Sequence, residues 1–161
     1  HDDNDHVGGA TEIMTQYPAL KLMTPSRQNY LTTDRTFCVN GLKQQWQGLR
    51  LTVLSPQRTV ERAGNKDSCV LLIEDGQYRV LLTGDADIRT ENRFAQGLGK
   101  IDVLQAGHHG SKTSTGHELV TQIRPTISLI SSGRWNRWRF PHQEVIQRLR
   151  EAQSEIYNTA V

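Results

Sequence analysis

His1-Asp2-Asp3-Asn4-Asp5-His6-Val7-Gly8-Gly9-Ala10 sets four potential metal ligands, His1, Asp3, Asp5 and His6, within six positions and follows them with two glycines. Imidazole and carboxylate together suit divalent Zn or Mn, and a single tight turn can aim positions i, i+2, i+4 and i+5 inward. Gly8 and Gly9 then let the backbone turn sharply into a helix whose N-terminus faces the ions. The stretch predicts a metal cradle. An acidic stub carrying two histidines is the plainer alternative, and the downstream sequence decides between them.

Two later stretches bear on that choice. Leu81-Leu82-Thr83-Gly84-Asp85 closes an apolar run with a glycine and a carboxylate, and Ile101-Asp102-Val103-Leu104-Gln105-Ala106-Gly107 leads into His108-His109-Gly110-Ser111. Each reads as a strand delivering a ligand at its end. The order of the three clusters is more specific than any one of them, and it resembles the metallo-β-lactamase fold. The run His-His-Gly-Ser-Lys-Thr-Ser at 108–114 resembles the branch of that family at the C-terminus of the ComEC competence proteins, the DNA-uptake channel of transformable bacteria. The resemblance covers nearly all of residues 1–161, which read as one domain.

The resemblance implies an α/β fold, an αββα sandwich, here without the pair of strands that precedes the first ligand loop in the family. The chain therefore reads as a piece of a longer, membrane-anchored protein. Carried over position by position, His1 and Asp3 would serve one metal, Asp5 and His6 the other, and Asp85 would bridge both. His108 would close the second site, with His109 free to donate to a substrate oxygen and Asp5 orienting a water. A histidine that the family carries before the first strand of the Asp75-Gly76 hairpin is Asn65 here, and the usual second histidine is Asp3. That oxygen-rich set shifts the preference from Zn toward Mn or Mg.

Two such ions suit phosphodiester hydrolysis, because both can clamp an in-line displacement. The implied activity is a nuclease, of exonuclease type, that degrades the strand not imported, on a domain facing the periplasm beside an inner-membrane channel. Ser111 and Lys112 could hold a phosphate, the lysine as a point charge. Arg134-Trp135-Asn136-Arg137-Trp138-Arg139 reads as a nucleic-acid strip, since tryptophan faces stack bases while arginines track the backbone. His142 lies two residues past Phe140 and is not counted as a ligand. No small organic cofactor is implied. Two other readings stay open: a DNA-guiding module with a degenerate metal site, and a small-molecule phosphoesterase or lactonase.

Composition fits these readings. At 161 residues the chain can bury a sizeable core, and no run of about 18 apolar residues is present to span a membrane. Formal charge is only +2 but unevenly spread: Arg124, Arg134, Arg137, Arg139, Arg148 and Arg150 face Glu144 alone in their interval. Arginine suits phosphate because its planar fork is bidentate and always charged. Cys38 and Cys69 are either buried thiols or one disulfide, the latter favoured in an oxidising compartment.

Along the chain, periodicity predicts helices at 10–17, 88–98, 117–123 and from Pro141 to about Ala152. It predicts strands at 20–23, from Phe37, at 49–54, 68–73, 79–83, 101–106, 126–131 and 155–157. Hairpin turns are predicted at Asn40-Gly41 and Asp75-Gly76, whose residues tolerate positive φ.

Overall fold

The computed structural model describes residues 1–32 and 34–161. Its centre is a seven-stranded mixed sheet in the spatial order β3-β4-β5-β6-β7-β8-β9. The first four strands run antiparallel: β3 (Lys43–Trp46), β4 (Leu49–Ser55), β5 (Val70–Glu74) and β6 (Arg79–Leu82). From β6 onward the pairing is parallel, through β7 (Val103–Gln105), β8 (Ile127–Ile130) and β9 (Glu155–Asn158). Parallel neighbours need crossovers. These are the helices α3 (Ile88–Phe94), α4 (His117–Ile123) and α5 (Gln143–Glu151).

Strand alternation decides which side is core. Leu81, Leu104, Ser128 and Ile156 stand in register on one face, and the first three are fully buried under Leu119, Ile123, Val145 and Leu149 of the helices. On the other face Leu82, Gln105, Leu129 and Tyr157 are in register, with Leu82, Leu129 and Tyr157 exposed. The fold is α/β as expected. The second layer is small among the described residues: a two-stranded parallel sheet of β1 (Leu22–Thr24) and β2 (Arg35–Phe37).

Cys38 and Cys69 form a disulfide, with their Cα atoms 5.9 Å apart. It ties the end of β2 to the start of β5. The Asn40-Gly41 turn is present but joins β2 to β3, which do not pair. The hairpin lies instead at Gln47-Gly48, where both residues have positive φ and Trp46 pairs with Leu49. Helix α3 ends at Phe94 rather than Leu98, because Leu98 N turns back to Ala95 O and Gly97 and Gly99 take positive φ.

Candidate metal centre and its cleft

The opening ligands are set by one helical turn. Asn4–Val7 form α1, so Asp5 and His6 sit inside a helix rather than in the loop before one. Asp3 occupies the N-cap position yet makes no capping hydrogen bond, which leaves its carboxylate available. Gly8 is needed because a Cβ there would lie 2.5 Å from Asn4 O. The residue that pins this segment is Asp2, 8% exposed: its carboxylate accepts from Ala63 N at 2.6 Å and from the Tyr30 hydroxyl. Asp2 N donates in turn to Ala63 O at 2.9 Å.

Asp85 follows β6 and is 3% exposed. Its backbone is clamped from two directions. Ser68 Oγ accepts from Asp85 N at 3.1 Å, and Gln105 Oε1 accepts from Thr83 N and Gly84 N at 3.0 and 2.9 Å. Around Asp85 Oδ2 lie His6 Nε2 at 3.1 Å, His1 Nε2 at 3.2 Å, His108 Nε2 at 3.8 Å and His109 Nε2 at 3.9 Å. Burial would raise the Asp85 carboxyl, but His1 and His6 outweigh it and hold it well below the usual carboxylate range. His1 moves the other way: burial lowers it, yet Asp85 beside it carries it above 6.5.

The histidine pair sits on a short 3₁₀ turn, Gly107–Gly110, where His108 has φ 50° and His109 φ 56°. Two consecutive non-glycine residues in the left-handed region are costly, and such strain persists where the surroundings impose it. Gly110, at φ +82°, lets the turn close against Pro141, whose Cβ would be 2.5 Å from an added one. Glu91 braces the far side of this loop from α3. It is fully buried and accepts from Thr115 N at 2.6 Å and Gly116 N at 2.8 Å. Burial, partly offset by those two donors, pushes Glu91 up to about 7.

The two histidines differ in geometry. His109 Nδ1 faces Ser131 O at 2.8 Å, which favours a proton on that nitrogen, and Nε2 hydrogen-bonds Asp5 Oδ2 at 3.0 Å, a position where a bound ion would replace the proton between them. His108 Nδ1 meets Thr113 Oγ1 at 3.3 Å, and burial lowers its pKa, favouring neutral imidazole. Asp5, His6, Asp85 and His109 bring one ligand atom each to within 4.8 Å of one another. Sequence reasoning put His108 in the ligand role and His109 toward substrate; the structure brings His109 into the four-atom group and holds His108 Nε2 3.8 Å from Asp85 Oδ2.

Does this set fit a cation? Three buried side-chain atoms have no hydrogen-bond partner among the described residues: His1 Nε2, Asn65 Oδ1 and Asp85 Oδ1. The two oxygens offer lone pairs, His1 Nε2, 3.2 Å from Asp85 Oδ2, offers one when deprotonated, and all three belong to positions singled out from sequence. An uncompensated buried acceptor is costly unless something else satisfies it. Together with the four converging ligand atoms, they fit a divalent ion.

The cluster opens into a cleft of about 610 Å³. Asp3, Asp5, Asp85, His108 and His109 line it together with Asn136, Trp138 and Phe140. The aromatic rings form a ladder. Arg137 Cζ lies 4.3 Å over the Trp138 ring, Trp138 stacks on Phe140 with centroids 6.0 Å apart, and Phe140 stacks on His109 at 6.3 Å. Of the expected substrate contacts, Asn136 borders the cleft, but its amide braces the loop by donating to Phe140 O at 2.8 Å. Trp135 is 90% exposed under Arg134 Cζ at 5.8 Å, outside the cleft lining. Ser111 is buried and its hydroxyl pairs with Thr113 Oγ1 at 2.9 Å, whereas Lys112 is exposed, its N–H donating to His142 Nδ1 at 2.9 Å. Asp2, Glu91, Gln105 and Phe140 were not among the expected site residues, whereas Trp138 lies within the expected nucleic-acid strip. The aromatic spacing around Asn136 was the available signal for Phe140.

The sequence pattern of the metallo-beta-lactamase superfamily matches residues 1–134. Recombination protein 2 of Haemophilus influenzae is 56% identical over 161 residues, all of this chain and 20% of that protein. ComE operon protein 3 of Bacillus subtilis is 31% identical over 99% of this chain and 22% of its own length. The chain thus spans about a fifth of the curated relatives it matches. Among solved structures, the metallo-beta-lactamase fold protein YhfI from Bacillus subtilis superposes with a TM-score of 0.56 at 15% identity, covering 99% of this chain and 71% of that one. The clustered ligands at the ends of β6 and β7, the shared fold and the match over residues 1–134 converge: the chain belongs to the metallo-β-lactamase superfamily.

Proposed function

We propose that this domain is a metal-dependent hydrolase of nucleic-acid phosphodiesters within a DNA-uptake protein, acting on the strand that is not imported. The observation that carries the reading is the shared cleft, which a histidine-carboxylate cluster and an aromatic ladder line together. A plain esterase would need the first feature and not the second. Likeness to competence proteins along the whole chain supports the DNA context.

His1, Asp3, Asp5, His6, Asp85 and His109 would hold two divalent ions, with Asn65 completing the shell. Oxygen donors from three carboxylates and an amide favour Mn over Zn. Ions bound there would acidify water for attack and neutralise charge developing on the phosphate. The protein's own groups do the rest. Ser131 O fixes the His109 tautomer, and the exposed Asp5 carboxylate, reachable from solvent, orients the attacking water. His108, neutral and bordering the cleft, hydrogen-bonds a substrate oxygen. Trp138 and Phe140 stack bases, and Arg134 and Arg137 with Lys112 meet phosphates.

No helix among the described residues is long and apolar enough to cross a membrane, and the chain spans about a fifth of its relatives. On this reading the domain lies outside the bilayer as part of a larger inner-membrane protein. The Cys38–Cys69 disulfide favours the periplasmic side, where such bonds persist.

End-labelled single-stranded DNA, incubated with the protein and Mn, Zn or chelator, tests the proposal. Metal-dependent cleavage that Asp85→Asn abolishes is expected. No cleavage with any metal, with salt-sensitive DNA binding retained, would reassign the domain to a DNA-guiding module.

A further inference from the structure

A second concavity, of about 300 Å³, lies beside the metal cleft. Arg58, Lys66, Arg89 and Arg93 line it, together with Asp67 and Asp87. The two carboxylates are occupied by backbone: Asp67 Oδ2 accepts from Gly64 N at 3.1 Å, and Asp87 Oδ1 from Thr90 N at 2.8 Å. The four cations form no ion pair with a carboxylate among the described residues. Elsewhere this protein pairs such groups, as in Arg27 with Glu61, and Arg50 and Arg79 with Glu74. Arg89 and Arg93 stand one turn apart on α3, a spacing at which like charges destabilise a helix. A concave wall with an excess of unpaired cations attracts an anion, and its size suits the phosphate and sugar of a nucleotide.

Position makes the identity of that anion more definite. Asp85 borders the metal cleft and Asp87 borders this pocket, two residues further along one connection. Lys66 follows Asn65, proposed above to complete the metal shell, in the 3₁₀ turn Asn65–Asp67, so on that reading the same short turn serves both sites. Two residues of chain cover at most about 7 Å, so the sites are near neighbours.

We propose that this pocket is a second phosphate site, which grips the backbone of a nucleic-acid strand next to the metal centre, on a wall that the Trp138 loop does not line. It rests on the reading of DNA as substrate and adds a strand path: aromatic ladder, metal centre, basic pocket. Arginine forks hold the phosphodiester, and no base is read there.

The test is binding of a fluorescent single-stranded oligodeoxynucleotide to the full-length protein in chelator, across a salt series. Arg58→Ala/Arg89→Ala/Arg93→Ala should weaken binding at least about tenfold at 50 mM salt and flatten the slope of log affinity against log salt by about 2. The three residues are exposed, so the fold should survive. Lysine at the same three positions should restore the slope, and turnover of a small chromogenic phosphodiester with Mn should not change. An unaltered slope in the alanine variant would overturn the pocket while leaving DNA as the substrate. Wild-type protein that binds no oligonucleotide would overturn both. If the alanine changes abolish inorganic phosphate binding but leave oligonucleotide binding as in wild type, the pocket serves a free anion and the strand path falls.

Discussion

At the residue scale, the metal cluster separates two neighbouring histidines by what their far nitrogens touch. His109 Nδ1 faces Ser131 O at 2.8 Å and its Nε2 meets Asp5 Oδ2 at 3.0 Å within the cluster, whereas His108 has only a hydroxyl at 3.3 Å. Losing a partner that orients a ligand commonly costs about 10–100-fold in metal affinity, and losing the ligand itself should cost no less. His109→Asn is therefore expected to weaken Mn binding at least about tenfold more than His108→Asn, measured by calorimetric titration. Equal losses would mean that both imidazoles bind metal; a larger loss at His108 would restore the order expected from sequence. The gathering of His1, Asp5 and His6 about Asp85 was legible because metal chemistry needs those residue types at close spacing. The choice between His108 and His109 was not, since it depends on φ values near 50° and on a carbonyl 22 residues away. Asp2 was equally hidden: in a run of acids, only its contacts with Ala63 and Tyr30 distinguish a pin from a ligand.

Among elements, the loop from Gly107 to Gly116 carries the histidines but is held by α3. Glu91 does this with two backbone donors, and its pKa of about 7 stands above the ordinary 4.5. A carboxyl raised on folding gives its full stabilisation below the unfolded value and loses it as pH rises through the folded one. Wild-type stability from this group should thus fall between pH 4.5 and about 7. Glu91→Gln should cost about 1–3 kcal/mol at pH 5, where an amide nitrogen faces a backbone donor. That gap should narrow toward neutral pH as wild type loses its own advantage. Denaturant melts at a series of pH values measure it, with faster hydrogen exchange at Thr115 and Gly116 as the local readout. A gap that widened with pH would show the two donors outweighing burial. No sequence signal marked Glu91, which in the pattern of α3 reads as a solvent-facing acid. Helices α4 and α5 and strands β5, β6 and β9 were legible from periodicity, because one face of each must meet the core. The β3–β4 hairpin was not, because Gln47-Gly48 is a weaker turn former than Asn40-Gly41 and is imposed by the pairing of Trp46 with Leu49.

For the whole molecule, the question is what holds the small β1–β2 sheet and the ligand segment onto the large sheet. Ser26 bridges to Val60 and Asp2 to Ala63, but the covalent tie is Cys38–Cys69, which closes a loop with a sequence separation of 31. Sequence alone left these cysteines as thiols or a disulfide, because two residues carry no framework pattern; the 5.9 Å between their Cα atoms brings them within bonding reach. Closing a loop of that length removes denatured-state entropy equivalent to about 3–4 kcal/mol. For a chain of this size each kcal/mol moves the melting temperature by roughly 2–4 °C, so reduction should lower it on the order of 10 °C. Cys38→Ser/Cys69→Ser should melt at the lower temperature with or without reductant, whereas wild type should respond to reductant. Metal affinity should fall too, because Ser68, which accepts from Asp85 N, precedes Cys69 at the start of β5. Two free thiols in the purified protein, with a melting temperature indifferent to reductant, would refute the bond. If the disulfide holds, the same covalent tie that steadies the sheets also steadies the carboxylate on which the cluster converges, so oxidation and metal binding should reinforce each other.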